Sequence, residues 1–307
     1  MHLSKQRFGG TVDSVKLTLL DGECMLFGRR ISDAARMILT VLMPVLLILP
    51  GAASNEPSAE IENGFRLMYN LNFSQAEREF SAFEQQHQDN PMGPVSVAAD
   101  LLFSEFQRLG VLEGQFYEND SAFAARKKLT ADPVVRDRFN QALTQAEKLA
   151  HERLAKDSTD HDALFALTLA SGLRSDYLAM IEKRNLASLH HAKQAEVYGN
   201  QLLAIHPDCY DAHLASGVSR YLTGSLSAPL RWIVRLGGAN PDKQGGIKEL
   251  QLTAERGVLL APFARILLAI AYVRDKDKTR ALQELDTLRQ QFPGNRLFAR
   301  EIAELDK

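Results

Sequence analysis

The chain has 307 residues, 45% hydrophobic and 24% charged, with a formal net charge of −2. That length allows a sizeable core, and the near-neutral balance without any Lys/Arg block excludes a nucleic-acid-binding surface. Leu, Ala, Glu, Gln and Arg recur and β-branched runs are rare, so helix formers dominate and the expected class is all-α.

The first element in chain order is a targeting segment. Residues 37–50, MILTVLMPVLLILP, are fourteen consecutive uncharged residues, apolar apart from Thr40. Arg29, Arg30 and Arg36 precede them and Gly51-Ala52-Ala53-Ser54 follows, the three parts of a secretory signal. A membrane-spanning helix needs ~20 apolar residues, and Pro44 interrupts this run. A cleaved signal over 25–54 is therefore expected, with an uncleaved anchor as the alternative. The expected location is exported: periplasmic or associated with the cell envelope. Met25 opens a conventional charged lead-in, so residues 1–24 are read as an upstream extension. Cleavage near Ala53 removes Cys24 and leaves Cys209 without a disulfide partner. It also removes six basic and four acidic residues, leaving 30 against 34, a net −4. No Cys follows the small-residue site, so no lipid anchor is expected there, and Arg29-Arg30 lacks the residues that complete a twin-arginine signal.

Residues 55–307 form the remaining domain. Its periodicity predicts helices near 58–71, 74–88, 94–110, 133–156, 161–182, 186–206, 210–223, 227–236, 243–259, 262–275, 278–291 and 295–305. Ser74 and Glu77 have capping-box spacing, and Asp208 is a candidate cap for the helix after Pro207. The stretch 111–132 reads as a loop with a weak helix in it. PFARILLAIAYV, 262–273, is apolar on nearly all sides and must be sandwiched between neighbours.

A spacing of twelve recurs. Gly64 lies twelve residues before Ala76, Ala195 before Pro207, Ala269 before Ala281, and Ala281 before Pro293. Two antiparallel helices approach closely only where side chains are small, with large apolar residues filling the flanks. Leu67, Phe80 and Phe83 hold the same offsets as Tyr272, Leu285 and Leu288. Proline then stops the second helix. In the middle of the chain, QAEKLAHERLAKDSTDHDA (145–163) realigns with QAEVYGNQLLAIHPDCYDA (194–212) at an offset of 49. Among the coincident pairs are Ala146/Ala195, Asp162/Asp211 and Ala163/Ala212.

This pattern resembles the tetratricopeptide repeat, best over 262–295 and nearly as well over 57–91, where Pro91 comes three residues late. The 49-residue offset departs from that family's regular period of ~34. The chain is also similar to a divergent group of exported bacterial proteins of this type whose role is unassigned. The resemblance implies a right-handed α-solenoid of antiparallel helix pairs, a protein or peptide partner, and no cofactor.

In that family the first helix of each pair lines the concave face. The implied groove residues are Ile61, Phe65, Met68 and Tyr69, then Leu214, Val218 and Tyr221, then Phe263, Ile266, Ile270, Val273 and Arg274. One subset of the family grips a peptide carboxylate with Lys, Asn and Arg at such positions. Ile61, Phe65, Ile266 and Ile270 stand here instead, so the resemblance implies an apolar groove suited to an amphipathic helix or extended peptide. The alternative is that a tight superhelix fills this face and makes these residues core.

SAPLRWIVRLGGANPDKQGG, 227–246, holds the only Trp, Trp232, with Arg231 and Arg235 on a short amphipathic run. The expected structure is a short helix and turn with Trp232 packed and the glycines permitting the turn. The alternative is a protruding element that touches a partner or a membrane surface.

No catalytic constellation stands out. His206, Cys209 and His213 lie within eight residues and are of metal-ligating type, but they flank a helix start, so their convergence is not implied. His190-His191 point apart on a helix, and His151-Glu152 lacks the second His of a zinc-protease motif. The expected function is an exported scaffold without enzymatic activity. The alternatives are a metal-dependent or other hydrolytic enzyme on a helical scaffold, and a membrane-tethered adaptor that keeps residues 37–50.

Overall fold

The computed structural model describes residues 58–112 and 128–307 apart from Gly237 and Ala239. The signal segment, the upstream extension and most of the loop expected over 111–132 lie outside the described residues. Among the described residues there are twelve α-helices and no strand. They are α1 (Ala59–Tyr69), α2 (Phe73–Gln86), α3 (Met92–Arg108), α4 (Pro133–Leu154), α5 (His161–Met180) and α6 (Asn185–Ile205). There follow α7 (His213–Gly224), α8 (Ala228–Leu236), α9 (Lys243–Arg256), α10 (Ala261–Arg274), α11 (Lys278–Gln291) and α12 (Arg296–Leu305). Every helix expected from the sequence is present, with ends moved by at most three residues.

Short polar side chains start half of these helices by accepting orphan N–H groups of the first turn. Ser58 accepts from Ile61, Asp132 from Val134 and Val135, Asp160 from Ala163, and Asp277 from Arg280. Pro133 occupies the first position of α4, where its missing donor costs nothing. Two expected caps are corrected. The box at Ser74 and Glu77 does not form: α2 already begins at Phe73 behind Asn72, and Glu77 pairs with Arg138 on α4 instead. Asp208 caps nothing, because a 3-10 turn over Tyr210–Ala212 intervenes before α7 and Ala212 takes the cap position.

Consecutive helices pack on one another from α1 to α7; α7 then packs on α9, and α9 to α12 continue the stack. The fold is an all-α solenoid. The small residues sit where the helices cross. Ala76, Ala195, Ala269 and Ala281 are buried. A Cβ on Gly64 would overlap the ring of Phe80, which lies edge-on to Phe65 at 5.4 Å between centroids. Gly246 lies within α9, inside the helix expected over 243–259, and so close to α7 that a Cβ would come 2.7 Å from Gly217 O.

The end hairpins are built alike. Leu71 (φ 61°) and Lys276 (φ 59°) are the middle residues of their turns. The next residue's N–H closes onto the helix in both: Asn72 N–H to Leu67 O at 2.9 Å, Asp277 N–H to Tyr272 O at 2.8 Å. This is the left-handed helix stop. The aligned central acids also behave alike. Asp162 accepts from Asn90 Nδ2 at 2.9 Å in the α2–α3 turn. Asp211 accepts the N–H groups of Val258, Leu259 and Leu260 at 3.1, 3.0 and 2.9 Å in the α9–α10 turn. Each ties its helix start to the turn of another hairpin.

Candidate docking surfaces

One hydrophobic cluster runs from Ile61 on α1 to Phe298 on α12. The first and last repeats therefore share a core. Tyr69 is the clearest joint: its hydroxyl donates to Leu259 O at 3.0 Å, and its ring lies 5.5 Å from that of Phe292. Asn295 Nδ2 donates to Tyr69 O at 2.9 Å, and Gly294 N–H to Asn70 Oδ1 at 3.1 Å. Phe103 meets Phe263 edge to face at 5.5 Å. Burial pushes the Tyr69 phenol upward, and the nearby charge of Asp211 adds to this, so it stays a protonated donor.

The concave set is corrected accordingly. Ile61, Phe65, Met68, Tyr69 and Tyr221 are buried and line no open groove. The physical reason is that the far end of the same chain occupies the space a peptide would need. Leu214, Val218, Phe263, Ile266, Ile270, Val273 and Arg274 are half-buried. Phe263 and Ile266 pack on the first cluster, Val218 and Val273 on a second centred on Leu250 and Leu268, and Leu214 on both.

The three metal-ligand candidates do not converge. His206 Nε2 lies 3.1 Å from Thr159 O, and its ring sits edge-on to His161. The Cys209 thiol is pushed up to about 12 by burial, with the Asp211 charge adding, so it is a poor nucleophile. His213 Nδ1 lies 2.7 Å from Glu249 Oε2, which also accepts from Ser216 Oγ at 2.8 Å. Arg220 pairs with the other oxygen of Glu249 at 3.0 Å. Burial opposes the charge of Glu249, but the bonds from His213 and Ser216 outweigh it and hold the carboxyl below its ordinary value. This network clamps α7 to α9. Among the described residues no group of three such side chains could hold a metal ion.

Two exposed apolar surfaces remain. The first is α8. Contrary to the packed arrangement expected, Trp232 is 64% exposed and Leu236 70%. The α7–α9 pair closes without this helix, which is held by Arg231 donating to Gly224 O at 3.3 Å. The second is a line along α6. Leu186 (87% exposed), Leu189, Lys193 and Val197 follow one another at three- and four-residue steps, which places them on one face. Lys193 Nζ donates to Gly238 O at 3.3 Å, so the segment after α8 lies beside α6. Sequence reasoning missed this line. The inward line at Ser188, Ala195, Gly199 and Leu202 is interleaved with it, and only the pairing of two apolar lines on one helix would have marked it.

No family model matches the chain, and no curated protein matches it.

Proposed function

We propose that this chain is an exported, tetratricopeptide-like scaffold that binds a protein partner on its outer surface. The observation that carries the reading is the exposed line Leu186, Leu189 and Val197 on α6. Large apolar side chains left in water along one helix face, on a rigid stack, suit an apolar interface centre with a polar rim. The stacking of helix pairs supports the display role, since such stacks present extended continuous surfaces. Export rests on the basic, apolar and small-residue succession over 25–54. The interface lies outside the concave face because Tyr69 and its neighbours close that face.

A photo-reactive residue at Leu189 tests the proposal in the intact cell envelope. It is expected to capture a discrete protein, while the same residue at the exposed Val134 on α4 captures none. With the photo-reactive residue moved to the exposed Val197 on the same face, Leu186→Asp with Leu189→Asp should abolish capture with an unchanged melting temperature. Equal capture from both positions, or capture insensitive to the two aspartates, rejects it. N-terminal sequencing of the cell-derived protein is expected to begin near Ser54; a start before residue 37 would favour the tethered form.

A further inference from the structure

We infer that α8 is a membrane-docking helix that lies flat on an anionic phospholipid surface. Trp232 and Leu236 enter the acyl boundary, and Arg231 and Arg235 engage lipid phosphates. Trp232 and Leu236 are one turn apart and form an exposed ridge. Arg231 and Arg235, also one turn apart, run along its flank and are both exposed. This is the layout of an interfacial helix, with aromatic and aliphatic residues on one face and guanidinium groups at phosphate depth.

Charge selects the kind of surface. No Asp or Glu occurs from Ser227 to Pro241, whereas the chain after the expected cleavage is acidic. Among the described residues no carboxylate pairs with either guanidinium; Arg231 reaches only the Gly224 carbonyl. Two exposed guanidiniums with no carboxylate partner among the described residues, beside an exposed indole, complement phosphate, which accepts their bidentate donors. A protein groove is the poorer fit. Nine residues span only ~13 Å, so the ridge offers two anchors one turn apart, short of the i, i+4, i+7 set that helix-in-groove recognition uses. The docking is peripheral: among the described residues no helix is long and apolar enough to cross a membrane.

Trp232 is the only tryptophan of the chain, so its fluorescence reports α8 alone. Insertion of residues 37–50 alone leaves Trp232 in water and its emission unshifted, and the arginine variant below carries the same segment, so the difference between the two proteins belongs to α8. The purified full chain is titrated with vesicles of phosphatidylglycerol and phosphatidylcholine, and separately with pure phosphatidylcholine. On the anionic vesicles the emission should shift to the blue and iodide quenching should fall several-fold, with high salt reversing both. Arg231→Gln with Arg235→Gln should raise the half-saturating lipid concentration about 20-fold, roughly fivefold per guanidinium. Emission unchanged at saturating anionic lipid would overturn the inference, as would equal midpoints on neutral and anionic vesicles. A blue shift that needs an added envelope protein rather than lipid would overturn it too and assign the ridge to a protein. The α6 crosslinking described above uses a different helix, so either result can fail alone.

Discussion

The end hairpins and the α7–α9 hairpin make the same kind of crossing and close it differently. In α1–α2 and α10–α11 the turn is three residues, with the middle one left-handed at Leu71 and Lys276. In α7–α9 the crossing is as intimate, glycine against backbone at Gly217 and Gly246, yet eighteen residues including α8 stand between the helices. The crossing therefore carries the fold, and the turn is free to carry something else. Asp242 and Asp277 cap their second helices in the same way, accepting from the residue three positions on. The two hairpins thus share their cap and differ in what precedes it: a left-handed residue at Lys276 in one, α8 behind a right-handed Ser225 (φ −83°) in the other.

The largest expected effect breaks the crossing itself. In Gly246→Val the added Cβ meets main-chain atoms of α7, which cannot rotate away, so the cost should be about 3 kcal/mol or more. In Gly64→Ala the atoms nearest the added methyl belong to the Phe80 side chain rather than to main chain, so the ring can give by tilting and the cost should be about 1–2 kcal/mol. Urea unfolding monitored by circular dichroism orders the two. A smaller loss at Gly246 would mean that the α7–α9 pair is looser than the end pairs.

A second experiment sharpens the contrast from the buried side of the first hairpin. Asp100 on α3 is buried, and its Oδ1 has no hydrogen-bond partner. Burial pushes its carboxyl up to about 8, with the Glu77 charge raising it and Arg138 lowering it. The folded value lies above the unfolded one, so the native state holds a proton that the unfolded chain releases near its ordinary value of ~4. The associated stability is present below pH ~4 and is lost as pH rises towards 8. Asp100→Asn should flatten that fall and gain about 2 kcal/mol at pH 8 relative to the parent. An unchanged pH dependence would show that Asp100 ionises without penalty.

The helices were legible because apolar periodicity is local, and the spacing of twelve picked out small residues that are buried at Gly64, Ala76, Ala269 and Ala281; the Gly217–Gly246 approach, 29 residues apart, lay outside that spacing. The fate of the concave face was not legible. Phe65 and Tyr69 have the same spacing whether they meet a peptide or the end of their own chain. What decides is contact across 190 residues to Leu259 and 226 to Asn295. At α8 the sequence located the helix and its arginines, but nine amphipathic residues read alike whether packed or displayed. His206, Cys209 and His213 were close in number, yet His206 faces Thr159 O, His213 faces Glu249 beyond the 3-10 turn, and Cys209 is a free thiol between them.

The smallest expected effect on stability is also the most direct test of the comparison. Gly224 and Lys243 nearly touch: a Cβ on Gly224 would sit 2.8 Å from Lys243 Cα, so the hairpin ends already meet. Replacing Leu226–Pro241 by one glycine leaves Ser225-Gly-Asp242, a three-residue turn whose middle residue takes the left-handed conformation at no steric cost. Asp242 still caps α9. The bonds lost from Arg231 to Gly224 and from Lys193 to Gly238 end on exposed side chains and contribute little. The unfolding free energy should fall by no more than about 1 kcal/mol, mainly through loss of the buried Pro241. Co-sedimentation with anionic vesicles, measured on a form lacking residues 1–54, should vanish. A loss of about 2 kcal/mol or more would place α8 in the core, and the α7–α9 turn would then be a structural element like those at the ends.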